Sequence, residues 1–185
     1  MNKQQYLDAI AKEIEQCDLC KIGKSGKPVP GEGNPDADIA FIGEAPGRVE
    51  SETGRPFVGR SGQLLRSLIR EIGLQEKEVY ITSPVKYLPN RGTPTSEDIA
   101  HGREHLLKQL NIIHPKIVVL LGRVAAEGVL QKRVSVVKEH GKIIEDKDGI
   151  KYFLTYHPAA ALRFPKKFLS SLREDFQKIR FFQTI

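Results

Sequence analysis

The segment Ile39–Gly62, IAFIGEAPGRVESETGRPFVGRSG, constrains this chain more than any other. A run of apolar residues flows into Glu44, held between Gly43 and the Ala45-Pro46-Gly47 turn, and Phe57 stands shortly before an amphipathic stretch. Strand, tight loop and helix in that order belong to an α/β protein, whose ligands bind in the crevice beyond the carboxyl ends of the strands. Tyr156-His157-Pro158-Ala159 repeats the theme at the end of a later apolar run.

The rest of the chain supplies the partners that such a unit needs. Tyr6, Leu7, Ile10, Ala11 and Ile14 recur at helical spacing over residues 3–16. The stretch from Lys21 to Pro35 is rich in Gly, Pro and Lys and reads as a long surface loop. Strands are expected at 38–42, 79–82, 117–122, 142–144 and 152–155. Helices are expected at 61–73, from Pro94 to about 110, at 123–131 and from about 166 to 181. Three or four mainly parallel strands alternating with helices make a three-layer α/β/α sandwich with a central, mainly parallel sheet of about four strands. Right-handed crossovers then gather Glu44, Ser83, Gly122 and His157 on one side. At 185 residues, with no internal repeat, one domain over 1–185 is expected.

A net charge of +6 and a pI near 9.3 suit a polyanionic partner, though many ordinary basic proteins share them. No apolar run is long enough to span a bilayer and the N-terminus lacks the pattern of a signal peptide, so no membrane association and a cytoplasmic location are expected. The Gly43–Gly47 loop is neither a Walker loop nor a GxGxxG turn.

Each candidate residue has a plain reading beside a chemical one. Glu44 could cap the next turn or lie solvated, but the glycines and proline around it leave room for a close ligand. His157 could be a structural hydrogen bonder; Pro158 restrains it to an extended conformation that fixes where the imidazole points. Phe57 is either a core plug or a stacking surface for a planar ligand. Lys86, Arg91, Arg163, Lys166 and Lys167 form either a solvated basic rim or a phosphate-contacting collar. Cys17 and Cys20 form one CxxC, half of a tetrahedral zinc or iron–sulfur site, and no third cysteine exists. A redox dithiol, free thiols or a disulfide are the other readings. His101, His105, His114 and His140 show no metal spacing of their own, although His101 and His105 share a helix face and HExxH is absent.

GEAPG at 43–47, GRPFVGRSGQLL at 54–65, VYIT at 79–82, NR at 90–91 before TPTSEDI, IVVLLGRVAA at 117–126 and YHPAAALR at 156–163 occur in this order. Over roughly residues 5–180 the chain resembles the family 4, iron–sulfur type uracil-DNA glycosylases. The resemblance implies a monofunctional enzyme of base-excision repair that hydrolyses the N-glycosidic bond of a base flipped out of DNA, uracil foremost. It implies that Glu44 acts on the water or the developing sugar cation and that Phe57 stacks on the base. His157 would bond the O2 side of uracil, with Gly43, Ala45 and Ser83 completing the base site. A monomer, with a sliding clamp as a further partner, is compatible with it.

The chain departs from that family at three places. Cys17 and Cys20 match the first two of four cluster cysteines, but the others fall on Tyr87 and Gly102, so an intact [4Fe–4S] cluster is not expected. The pair is then a remnant and no cofactor is expected, zinc held with His101 or His105 being the alternative. Ser83 replaces the uracil-reading asparagine, and a hydroxyl cannot reproduce a bidentate amide contact. Ala159 replaces a serine beside His157. The alternatives that follow are a glycosylase for deaminated purines (hypoxanthine or xanthine), a weakly catalytic or non-catalytic binder of damaged or single-stranded DNA, and a nucleotide-binding α/β protein.

Overall fold

In the computed structural model, residues 1–181 are described, apart from the side chains of residues 146 and 147. Four central strands, β3 (Ile39–Ile42), β4 (Val79–Thr82), β6 (Ile117–Leu121) and β8 (Ile150–Thr155), run parallel in the order β4-β3-β6-β8. Two antiparallel edges extend this core to six strands: β2 (Glu32–Gly33) beside β4, and β7 (Lys142–Lys147) beside β8. The parallel core is the one that periodicity foretells. The extra edge β2 comes from the Gly/Pro-rich loop, where Gly33 lies at φ +133° against the Val79 carbonyl, a conformation open to glycine and hidden from hydrophobic pattern. The same loop contributes β1 (Lys24–Ser25), paired with β5 (Leu88–Pro89) in a separate two-stranded ribbon.

Strand alternation divides the core between the two faces. Phe41, Ile81, Val119 and Phe153 pack with α4 (Arg60–Glu71), α8 (Pro158–Arg163) and α9 (Pro165–Phe181), and Phe41 stacks on Phe176 at 5.7 Å. Ala40, Ile42, Tyr80, Val118, Leu120 and Leu154 face α1 (Lys3–Gln16), α5 (Ser96–Ile113) and α6 (Arg123–Leu130). Strands β3, β4 and β6 are buried from end to end, as parallel strands covered on both sides must be. Two short helices complete the layers that bear on function: α2 (Asp18–Lys21) after α1 and α3 (Arg48–Thr53) after β3. A further short helix, α7 (Val136–Glu139), leads into β7. Among the described residues no helix is long and apolar enough to cross a membrane.

Candidate active site and cysteine corner

A cavity of about 120 Å³ opens at the carboxyl ends of the parallel strands, lined by Val29, Ala45, Pro46, Phe57, Ser83 and His157 among others. Apart from Val29, its walls come from the segments after β3, β4 and β8, so parallel pairing is what brings residues over a hundred positions apart to one place. Gly43 lies beneath: a Cβ there would meet the Phe57 ring at 2.5 Å, so glycine lets the ring seat against the strand end. Glu44 follows, half-buried; its neighbour Ala45 is among the lining residues, whereas Glu44 itself is not. Burial raises its carboxyl above the ordinary range, opposed by the charge of Arg123.

Phe57 takes a left-handed backbone, φ +51°, which a non-glycine residue holds only when its surroundings impose it. Two side chains do so. Buried Arg66 on α4 donates to the Phe57 and Pro56 carbonyls, both at 2.8 Å, and pairs with Glu32 and Glu76. From the other side the Glu50 carboxylate on α3 accepts from the Val58 and Gly59 amides at 2.9 and 2.7 Å. Neither brace stood out in the sequence, because a charged residue in an amphipathic helix reads as solvated until its partners are known. The Arg-Pro-Phe-Val-Gly segment beside them was the only available signal.

His157 caps α8. Its Nδ1 accepts from the Ala159 amide at 3.1 Å and Pro158 supplies the first helical residue. With Nδ1 so occupied, a neutral ring carries its proton on Nε2. Burial pushes the imidazole down to about 4, so it is neutral at physiological pH. The ring lies 5.8 Å from Phe57, centroid to centroid, tilted by 33°. Ser83 is buried and donates its hydroxyl proton to the Val85 carbonyl at 2.8 Å, which leaves only an acceptor lone pair for a ligand.

The expected basic collar divides. Arg163, Lys166 and Lys167 are exposed, and Arg163 lines an open groove with Arg48, Arg60 and Leu162 that shares Gly47, Glu50 and Ser61 with the cavity. Arg91 is exposed in the turn after β5. Lys86 is not on the rim at all. It is 2% exposed, and its ammonium donates to Thr82 Oγ1 and Gln109 Oε1 at 2.8 Å and to the Pro30 carbonyl at 3.1 Å. The chain after β4 turns inward beneath the Pro30 loop, and three acceptors satisfy an amine that no apolar pattern could reveal there; burial lowers it to about 7.

A model of the uracil DNA glycosylase superfamily matches residues 30–180. The chain belongs to that superfamily. It is 43% identical to the type-4 uracil-DNA glycosylase of Sulfurisphaera tokodaii, over 94% of this chain and 83% of that protein. It is 38% identical to the type-4 enzyme of Thermotoga maritima, over 97% and 96%. The corresponding protein of Archaeoglobus fulgidus is 39% identical, over 95% and 92%.

The cysteine corner lies where α1 and α2 meet α5, and none of its cysteines or histidines lines the cavity. A four-thiolate cluster does not fit it. Tyr87 is buried among Ile10, Ile14 and Cys20, and a Cβ on Gly102 would collide with the Pro84 carbonyl. Cys17, Cys20, His101 and His105 nevertheless bring their ligating atoms within 4.8 Å of one another, a grouping that could hold a metal ion. His101 and His105 show no metal spacing by themselves, and folding brings both, rather than one of them, beside the CxxC.

Proposed function

We propose that this chain hydrolyses the N-glycosidic bond of uracil flipped out of DNA. The observation that carries the reading is the placement of His157, its Nδ1 engaged by the Ala159 amide and its ring set against Phe57 at a cavity sized for one small planar ring. A base within a duplex is out of reach, so it must be extruded at a cost of a few kcal/mol, and stacking on Phe57 returns about 1–3 kcal/mol. As the bond lengthens, negative charge grows on the leaving base and positive charge on the sugar. His157 donates from Nε2 to the base oxygen without having to change protonation state. Glu44, ionised, stabilises the sugar cation and orients the attacking water. No step passes through a metal.

The exposed groove with Arg48, Arg60 and Arg163 holds phosphates, while Leu162 and Phe164, 39% and 50% exposed, form the apolar wedge that enters the vacated stack. Lys166 and Lys167 extend this surface along the start of α9, and the enzyme works as a monomer. Ser83 favours relaxed reading, because its engaged hydroxyl can accept from an imide N–H but cannot donate to the neighbouring carbonyl. Hypoxanthine and xanthine are therefore the secondary substrates.

Single-turnover excision from oligonucleotides carrying uracil, hypoxanthine, xanthine or an abasic site tests the reading. Uracil should be released fastest, the small cavity disfavouring purines. Binding to the abasic strand with no excision of any base would replace the enzyme by a DNA binder.

A further inference from the structure

We infer that Cys17, Cys20, His101 and His105 form a closed tetrahedral site for a single zinc ion that clamps the N-terminal helices to α5. The donors converge from two short pieces of chain. Cys17 ends α1 and caps α2, its sulfur accepting from the Cys20 amide at 3.4 Å. That turn directs both sulfurs of the CxxC toward α5, where His101 and His105 stand one helical turn apart with rings 5.5 Å apart and nearly perpendicular. Cys17 Sγ and His101 Nε2 are already 3.1 Å apart.

The decisive observation is His105. It is 3% exposed, and neither ring nitrogen has a hydrogen-bond partner among the described residues. Burying an imidazole with both polar atoms unsatisfied costs free energy that a purely structural histidine would not incur. Glu13 stands 3.5 Å from Nδ1, in ion-pair contact without a formed hydrogen bond, and is placed to accept the Nδ1 hydrogen once Nε2 binds a cation. This is the carboxylate–histidine–metal arrangement that fixes a ligand's tautomer.

Size and donor chemistry select the ion. Zinc bonds of about 2.0–2.3 Å set tetrahedral donors roughly 3.3–3.8 Å apart, so a spread of at most 4.8 Å closes with small side-chain adjustments. Two thiolates and two imidazoles with C-x2-C and H-x3-H spacing are a structural zinc set. The same four residue types can also hold a two-iron, two-sulfide centre, but there the cysteines bind one iron and the histidines the other. The 3.1 Å approach of Cys17 to His101 leaves no room for a bridged pair. Two thiolates and neutral imidazoles balance the 2+ charge, and the cysteine protons leave to solvent on binding.

The experiment is elemental analysis of the full-length protein purified without chelator, followed by zinc removal and reloading with cobalt(II). One zinc per chain is expected, with negligible iron and no acid-labile sulfide. The cobalt form should show intense visible bands of tetrahedral symmetry together with thiolate-to-cobalt charge transfer. Cys17→Ser keeps an oxygen to cap α2 and should still fold, yet lose most of the zinc and the charge-transfer band. His105→Gln should lower zinc affinity at least tenfold. Absence of stoichiometric metal after reloading, a Cys17–Cys20 disulfide in its place, iron with inorganic sulfide, or full zinc retention by folded Cys17→Ser would each overturn the inference. None of these readouts involves DNA, so the outcome is independent of the proposed reaction.

Discussion

The base cavity and the cysteine corner are both assembled from residues distant in sequence, but they differ in how completely their polar groups are satisfied. Around the cavity nearly every polar atom is engaged: Ser83 with Val85, His157 Nδ1 with Ala159, Glu50 with two amides and Arg66 with two carbonyls. His157 Nε2 and the Glu44 carboxylate, the groups assigned chemical roles in the proposed reaction, make no side-chain hydrogen bond among the described residues. At the corner both ring nitrogens of His105, beside two cysteines and a second histidine, lack a hydrogen-bond partner among the described residues. A preorganised reaction site leaves few atoms free and fixes the rest, whereas a metal site is incomplete by design until its ion arrives. The two regions should therefore fail differently.

The largest effect is expected at Glu44. Glu44→Ala should slow single-turnover uracil excision by at least ~100-fold, about 3 kcal/mol, with DNA affinity unchanged or slightly raised. Equal losses in rate and affinity would make Glu44 a structural residue and blur the contrast. Phe57→Ala should follow with a loss of about 10- to 100-fold, from the ~1–3 kcal/mol of stacking, and thermal melting should show how much of it is lost packing. Zinc removal should do the reverse. Melting temperature should drop, while the excision rate of the protein still folded stays within about 2-fold, because none of the four corner residues lines the cavity. A rate loss as deep as that of Glu44→Ala would show the two regions to be coupled.

The pH profile sharpens the division within the cavity. Glu44 must be ionised, so activity is present above its raised carboxyl pKa and lost as pH falls through it. His157, neutral down to about 4, should not set this limb. His157→Gln should lower the rate without moving the limb, and a limb that moves with His157→Gln would reverse the roles. The smallest change is expected from Lys166→Ala with Lys167→Ala. Binding should weaken for all sequences, and the slope of log affinity against log salt should become shallower by about 1–2, measured by titration at several salt concentrations.

The parts of the molecule legible in sequence are those governed by short-range pattern. The apolar runs ending at Ile42, Thr82, Leu121 and Thr155 fixed the parallel core, and the loops that follow located Phe57, Ser83 and His157. Pattern fails where a side chain's fate depends on a distant backbone. Lys86 looked solvated because its acceptors come from Pro30, Thr82 and Gln109. Glu50 and Arg66 carry no signal in local pattern, because their partners are backbone groups of the Phe57 loop. The pairing of a CxxC with two histidines some 80 positions away is likewise a product of how α1 and α2 rest on α5.

One consequence concerns attempts to harden this protein for use. Gly62 sits within the first turn of α4, where replacing glycine by alanine ordinarily strengthens a helix by up to about 1 kcal/mol. Here the added methyl would drive into the Phe57 carbonyl. A substitution chosen from helix propensity alone would act as a wedge beneath the aromatic platform, trading local rigidity for a tilted ring. Any thermostabilising library should hold Gly62 constant and seek its gains on the solvent-facing side of the same helix.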